Sequence, residues 1–214
     1  MRDLLRIALI LGLAFASTFL VVQGLGLLPE EGVIRWLEGL RNIHPLWLMA
    51  GVIALLLLDL LIAVPTMTTI LLAGWLLGPV LGGLTGAMGL MLMGALGYTT
   101  GRLAGRPILR RLFKDEARLT EIEAAFARND LLTLAICQAL PILPELSATL
   151  AGIARMHPAR FALGYGAGSI PFAFILASGG AASSPDDLRP AILTAIAVTA
   201  TLLLLWRRLA RRPR

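Results

Sequence analysis

PLWLMAGVIALLLLDLLIAVPTMTTILLAGWLLGPVLGGLTGAMGLMLMGALGYTTG, residues 45–101, contains a single charged residue, Asp59. An ionisable group at bilayer depth is expensive and persists where it faces protein or a water-filled cavity. Asp59 lies shortly before Pro65, and proline frees backbone carbonyls that lipid tolerates only when the broken segment is shielded. The same combination recurs in LLTLAICQALPILPELSATLAGIA, residues 131–154, where the only charge is Glu145, directly after Pro144 and close to Pro141. Two charged, proline-broken apolar segments in one chain point to a translocation site.

The rest of the composition agrees with a membrane chain. Mean hydropathy is +0.82 and 15% of residues are charged, which excludes an ordinary soluble core. Several apolar runs approach the ~20 residues that a helix needs to span hydrocarbon. At 214 residues the chain is one domain or a tightly joined pair. The net charge of +6 does not indicate nucleic acid. The basic residues cluster at the ends of apolar segments, and no basic patch interleaved with aromatics is present. Cys137 is the only cysteine, so an intrachain disulfide and a thiolate metal site are both excluded. No metal and no cofactor is expected.

Residues 4–28 follow a basic start and contain Ala14-Phe15-Ala16, which is similar to a signal-peptide cleavage site. The apolar run continues beyond it, so a retained first span is expected. Residues 29–42 alternate charge with Val33, Trp36, Leu37 and Leu40 at helical spacing, predicting a short interfacial amphipathic helix. The glycine-rich run 79–101 reads as a span with GxxxG pairs at Gly82/Gly86 and Gly97/Gly101. Residues 102–130 are the only long polar stretch, with an apolar face of Leu112, Leu119, Ile122 and Phe126, and predict an amphipathic helix on the membrane surface. Spans follow at 157–180 and 189–206, then a basic tail. The expected fold is thus all-α and integral to the membrane. It comprises about four transmembrane helices, two inverted re-entrant hairpins and surface amphipathic helices. The expected divisions are 1–44, a core at 45–181, and 182–214 with the last helix and the tail.

Charge sets the orientation. With both termini cytoplasmic and each broken segment entering and leaving on one side, only Arg35, Arg41 and Arg189 of the 19 basic residues fall outside. If the broken segments crossed fully, the basic 102–130 stretch would be external, which the positive-inside rule disfavours. The chain also repeats itself. Val64-Pro65-Thr66 with Leu72-Ala73-Gly74 resembles Leu143-Pro144-Glu145 with Leu150-Ala151-Gly152, with a one-residue difference in length. Inverted repeats with broken helices are a known build for secondary transporters.

Three further stretches carry a family likeness: Gly97-Tyr98-Thr99-Thr100-Gly101-Arg102-Leu103-Ala104-Gly105, then Pro141-Ile142-Leu143-Pro144 with Ala151-Gly152-Ile153-Ala154-Arg155-Met156, then Gly168-Ser169-Ile170-Pro171. In their order and spacing they resemble the DedA / SNARE-associated Golgi protein superfamily, the VTT-domain membrane proteins. The likeness covers roughly residues 45–180. It implies two inverted re-entrant hairpins and movement of phospholipid or polyprenyl-phosphate lipids between leaflets, linked in some members to the proton-motive force. The chain departs from the family pattern at Gln138 and Pro144, where many members carry arginines.

Asp59 and Glu145 are the candidate carboxylates for proton exchange or headgroup contact. The structural alternative for each is capping of a broken helix. Pro65, Gln138, Pro141, Pro144 and Arg155 complete the candidate transport site, and Arg102 and Arg106 are candidate interfacial phosphate contacts. Thr66, Thr68, Thr69 and Ser147 are expected mainly to satisfy backbone groups freed by the prolines. His44 and His157 flank helix starts and receive no chemical role. A lipid flippase or scramblase of the plasma (inner) membrane is therefore expected rather than an enzyme. A membrane-embedded lipid-modifying enzyme and a non-transporting scaffold stay open as alternatives. Membrane lipids are the expected partners, with protons and a second copy of the chain as further candidates, and nucleic acid is not one.

Overall fold

The computed structural model describes residues 39–40, 43–59, 65–105, 131, 134–135, 138, 143–184 and 187–210. The chain divides into two compact units, Met1–Ile43 and His44–Arg214, and every element below belongs to the second. The expected span at 4–28, nearly all of the interfacial helix at 29–42 and of the surface helix at 102–130, and the candidates Arg106 and Pro141 lie outside the described residues. So does the cleavage-like Ala14-Phe15-Ala16.

Among the described residues the regular elements are helices: α1 (Pro45–Leu58), α2 (Thr66–Thr100) continuing into a π-helical turn (Gly101–Gly105), α3 (Leu143–Ile153), α4 (Pro158–Ala181) and α5 (Arg189–Ala210). α1 and α4 begin with the same device. A His-Pro pair puts proline in the first turn, where its missing N–H is no loss. The histidine Nδ1 accepts from an orphan backbone N–H, Leu46 for His44 at 3.4 Å and Ala159 for His157 at 3.3 Å. Capping is thus what these two histidines do.

α2 is two helices in one. Gly78 sits at φ 80 and ψ 174, immediately before Pro79. Positive φ there is open to glycine at no steric cost, and the proline cannot continue the preceding ladder. The chain reverses, and residues 66–77 pack antiparallel to residues 79–100. A Cβ added at Gly82 would lie 2.7 Å from the Ala73 carbonyl, and one at Gly86 would lie 3.1 Å from Ile70 Cγ2. At 1.5 Å per residue the first arm is about 18 Å long and the second about 33 Å. Only the second is long enough for the ~30 Å hydrocarbon core.

Among the described residues two helices are long and apolar enough to cross a membrane, the one containing this second arm and α4. Along the second arm Val80, Leu84, Met88, Leu92 and Leu96 recur every fourth residue and are all exposed, whereas Gly82, Gly83, Gly86, Gly89, Gly94 and Gly97 face inward and are buried. Large apolar side chains outside and glycine inside is the arrangement of helices that associate in lipid, where close approach of backbones replaces hydrophobic burial. α4 follows it, with Leu163, Ile170 and Ile175 exposed and Gly164, Gly166, Gly179 and Gly180 buried.

The weak sequence repeat corresponds to a repeat in packing. Leu56 of α1 fills the notch at Gly89, and Ala135 fills the notch at Gly168. Both members of the first pair are carried onto the second by the same shift of 79 residues, which also carries Pro65 onto Pro144. The inner arms are exchanged between repeats. The first arm of α2 lies against α4, with Gly74 on the Ala177 carbonyl and Gly180 on the Leu71 carbonyl. α3 lies against the end of α2, with Gly152 on the Tyr98 carbonyl and Gly101 on the Thr149 carbonyl. At all four glycines an added Cβ would collide with backbone oxygen. Each repeat therefore holds the other's broken segment.

Candidate functional site

The first proline break brings two polar side chains together, and the second carries polar residues in the same sequence register. In the first, Asp59 ends α1 and Thr66 begins α2, and the Thr66 hydroxyl donates to Asp59 Oδ2 at 2.6 Å. This bond closes the gap between the two half-helices. The carbonyl of Pro65 accepts from both the backbone N–H of Thr69 (3.0 Å) and its hydroxyl (3.1 Å). In the second break Ser147 Oγ donates to the Pro144 carbonyl at 2.9 Å and Thr149 Oγ1 to the Glu145 carbonyl at 2.9 Å. Thr69 and Ser147 thus do the backbone work expected of them, while Thr66 belongs to the site. Thr68 is exposed.

The shift that superposes the prolines also carries Asp59 onto Gln138 and Thr66 onto Glu145. The carboxylate has changed sides: it ends the first half-helix in one repeat and begins the second half-helix in the other. Glu145 is in the first turn of α3, where the helix dipole favours an anion. Asp59 exerts an electrostatic influence on Glu145. Gln138 is 4% exposed, and its Nε2 has no hydrogen-bond partner; neither has Oε2 of Glu145. Buried polar groups are normally paired, and each unpaired one forfeits about 1–3 kcal/mol. A donor and an acceptor are thus left available on one broken segment, and nowhere among the described residues do three metal-ligating side chains gather.

Arg155, expected in the transport site, and Arg102, expected as an interfacial phosphate contact, are both found at the corner between α3 and α4. The Tyr98 hydroxyl donates to the Met156 carbonyl at 2.5 Å and accepts from Arg102, whose guanidinium also donates to the Met156 carbonyl at 3.1 Å. The guanidinium stands 5.7 Å from the Tyr98 ring centroid. Tyr98 in turn stacks on Phe161 at 4.7 Å, and Phe161 leans on Tyr165 at 5.3 Å. The corner itself is a Schellman cap: Met156 N–H reaches the Ala151 carbonyl at 3.1 Å and Arg155 N–H the Gly152 carbonyl at 3.0 Å. Its left-handed position, usually glycine, is occupied by Arg155 at φ 53. An L-residue there is disfavoured by roughly 1–2 kcal/mol. The Tyr98–Arg102–Met156 junction was not visible in sequence as a unit, although each half lies in one of the quoted motifs.

The family model for the VTT domain matches residues 64–182, more than half of the chain. The match opens one residue before Pro65 and closes one residue after α4, so it takes in both prolines, Glu145 and the arginine corner and leaves Asp59 just outside. No curated protein and no solved structure matches the chain. Helices with lipid-suited faces, two breaks in register and a matching domain model lead to one assignment: the chain belongs to the VTT domain family, the domain of the DedA / SNARE-associated Golgi protein superfamily.

Proposed function

We propose that this protein moves lipids between the leaflets of a membrane, as a flippase or scramblase of phospholipid or polyprenyl-phosphate lipids. The observation that carries the proposal is the polar set at the proline breaks, inside a shell of large exposed apolar side chains. Asp59 bonded to Thr66, Glu145 within electrostatic reach, and an unpartnered amide at Gln138 offer hydrogen bonding at a depth where lipid offers none. Flip-flop is slow because the headgroup must be desolvated, and an unpaired polar group in hydrocarbon is costly. A path that replaces water's hydrogen bonds lowers that barrier while the tails stay in lipid. The two acids give the path a means of exchanging protons, so coupling to a proton gradient is part of the proposal.

The re-entrant passage and cytoplasmic termini of an inner-membrane protein belong to the same proposal. The bond from Arg102 to the Met156 carbonyl supports it, because the end of α2 and the end of α3 then share one face of the membrane. Full crossing by the second broken segment would separate those residues by the bilayer thickness. The distribution of basic residues favours the cytoplasm for that face.

Purified protein in liposomes, with short-chain fluorescent phospholipids and a polyprenyl phosphate in one leaflet, tests the function. Accelerated loss of leaflet asymmetry is expected. Unchanged asymmetry with folded protein, across all lipids tried, would reject it. An electrostatic link between Asp59 and Glu145 is also what an acid-pair enzyme would require. Chromatography of the same lipids after incubation separates the two, since transport leaves them chemically intact.

A further inference from the structure

We propose that Arg155 and Arg102 form a phosphate-binding site at the corner between α3 and α4, separate from the polar set at the proline breaks. Three observations lead to it. First, Arg155 occupies the left-handed position of the Schellman cap, φ 53, where glycine would be the better residue for the backbone. A backbone outlier of this kind directs attention to the side chain it presents. Second, that side chain is exposed and has no hydrogen bond or ion pair among the described residues. Third, Arg102 is brought to the same corner and fixed there. The adjacent Met156 carbonyl and the Tyr98 hydroxyl both accept from its Nη1, and the Tyr98 ring lies beside it. Its remaining N–H groups stay available, since a guanidinium carries five donors in a fixed fork.

One turn of backbone thus carries Arg155 and supplies the Met156 carbonyl that anchors Arg102, and neither arginine has a carboxylate partner among the described residues. A tetrahedral oxyanion suits two forks, because guanidinium meets phosphate through paired hydrogen bonds that a lysine cannot reproduce. The geometry also separates a fixed arm from a reaching one: Arg102 is clamped on neutral oxygen and an aromatic face, whereas Arg155 stands alone.

The phosphate has two sources, a lipid headgroup or free phosphate. Only the lipid source rests on the function proposed above. The full-length protein in detergent is titrated with short-chain phosphatidic acid and, separately, with inorganic phosphate, using Arg155→Gly, Arg155→Asn and Arg155→Lys beside the wild type. Glycine and asparagine both tolerate the left-handed backbone, so these variants remove the charge and keep the corner. The expected result is that Arg155→Gly unfolds no earlier than the wild type, yet binds phosphatidic acid at least tenfold more weakly. Arg155→Lys should fall between the two. Competition by inorganic phosphate would assign the site to the free ion, and binding of the lipid alone would assign it to a headgroup. Wild-type affinity in both Arg155→Gly and Arg155→Asn would overturn the proposal, as would absence of binding of either probe to the wild type. Retained translocation by an Arg155→Gly protein that no longer binds phosphatidic acid would keep the site and detach it from transport.

Discussion

At the level of single residues, the proline breaks divide structural chemistry from chemistry that remains available. Thr69 and Ser147 are consumed by the carbonyls of Pro65 and Pro144, which any broken helix in lipid needs. The connections of Asp59 include a hydrogen bond to Thr66 and an electrostatic one to Glu145. Asp59→Asn keeps an acceptor for the Thr66 hydroxyl and removes titration. Folding within about 1 kcal/mol of wild type and loss of pH-dependent translocation are expected, measured by thermal unfolding and by the liposome assay at several pH values. Unchanged pH dependence would remove the carboxylate from the mechanism. Asp59→Leu strips Thr66 of its acceptor as well, and should destabilise by about 1–3 kcal/mol. Tyr98→Phe keeps the ring stack on Phe161 and deletes the hydroxyl between Arg102 and Met156. Its expected loss is about 1–2 kcal/mol, and a melting point equal to wild type would show that the hydroxyl holds nothing. Asp59 and Glu145 stand out in the sequence because charge is so rare around them. The electrostatic link between them could not be read there, since it depends on how two segments about eighty residues apart pack together.

For the helices the decisive residue type is glycine, and its effect depends wholly on what faces it. Gly180→Ala would drive a methyl group into the Leu71 carbonyl, which is backbone and cannot rotate away. Helix propensity favours alanine by about 1 kcal/mol, but overpacking of this kind costs about 1–3 kcal/mol or more, so net destabilisation is expected. Gly51 in α1 has nothing within 4 Å of an added Cβ, so Gly51→Ala should stabilise by about 0.5–1 kcal/mol. Thermal unfolding of the two variants side by side checks the sign of each; stabilisation in both would mean that the exchanged arms are not in contact. The GxxxG spacing at Gly82/Gly86 and Gly97/Gly101 announced close approach correctly. The partner was not announced: Gly82 meets its own hairpin, whereas Gly101 meets the other repeat. The reversal at Gly78 was legible in outline, because Gly-Pro between two apolar runs is a turn signal. The arginine corner was not, because a left-handed arginine has no mark in sequence.

At the scale of the whole molecule, the proposed orientation places residues 102–130 in the cytoplasm. Single cysteines introduced between residues 115 and 125 of a Cys137→Ser protein should be labelled only after the membrane is permeabilised. Labelling by an impermeant reagent from outside would falsify the cytoplasmic assignment. The exchange of inner arms between repeats has a consequence for synthesis. The first arm of α2 is seated against Ala177 and Gly180, so its partner is translated about a hundred residues after Gly74. At roughly 5–20 residues per second, the first hairpin leaves the ribosome and waits for about 5–20 s without the helix that will hold it. During that interval its acid and its freed carbonyls need a temporary host, water at the membrane surface or the insertion machinery itself. Neither half is a finished object, and the order of manufacture makes the N-terminal repeat a guest until the C-terminal one arrives.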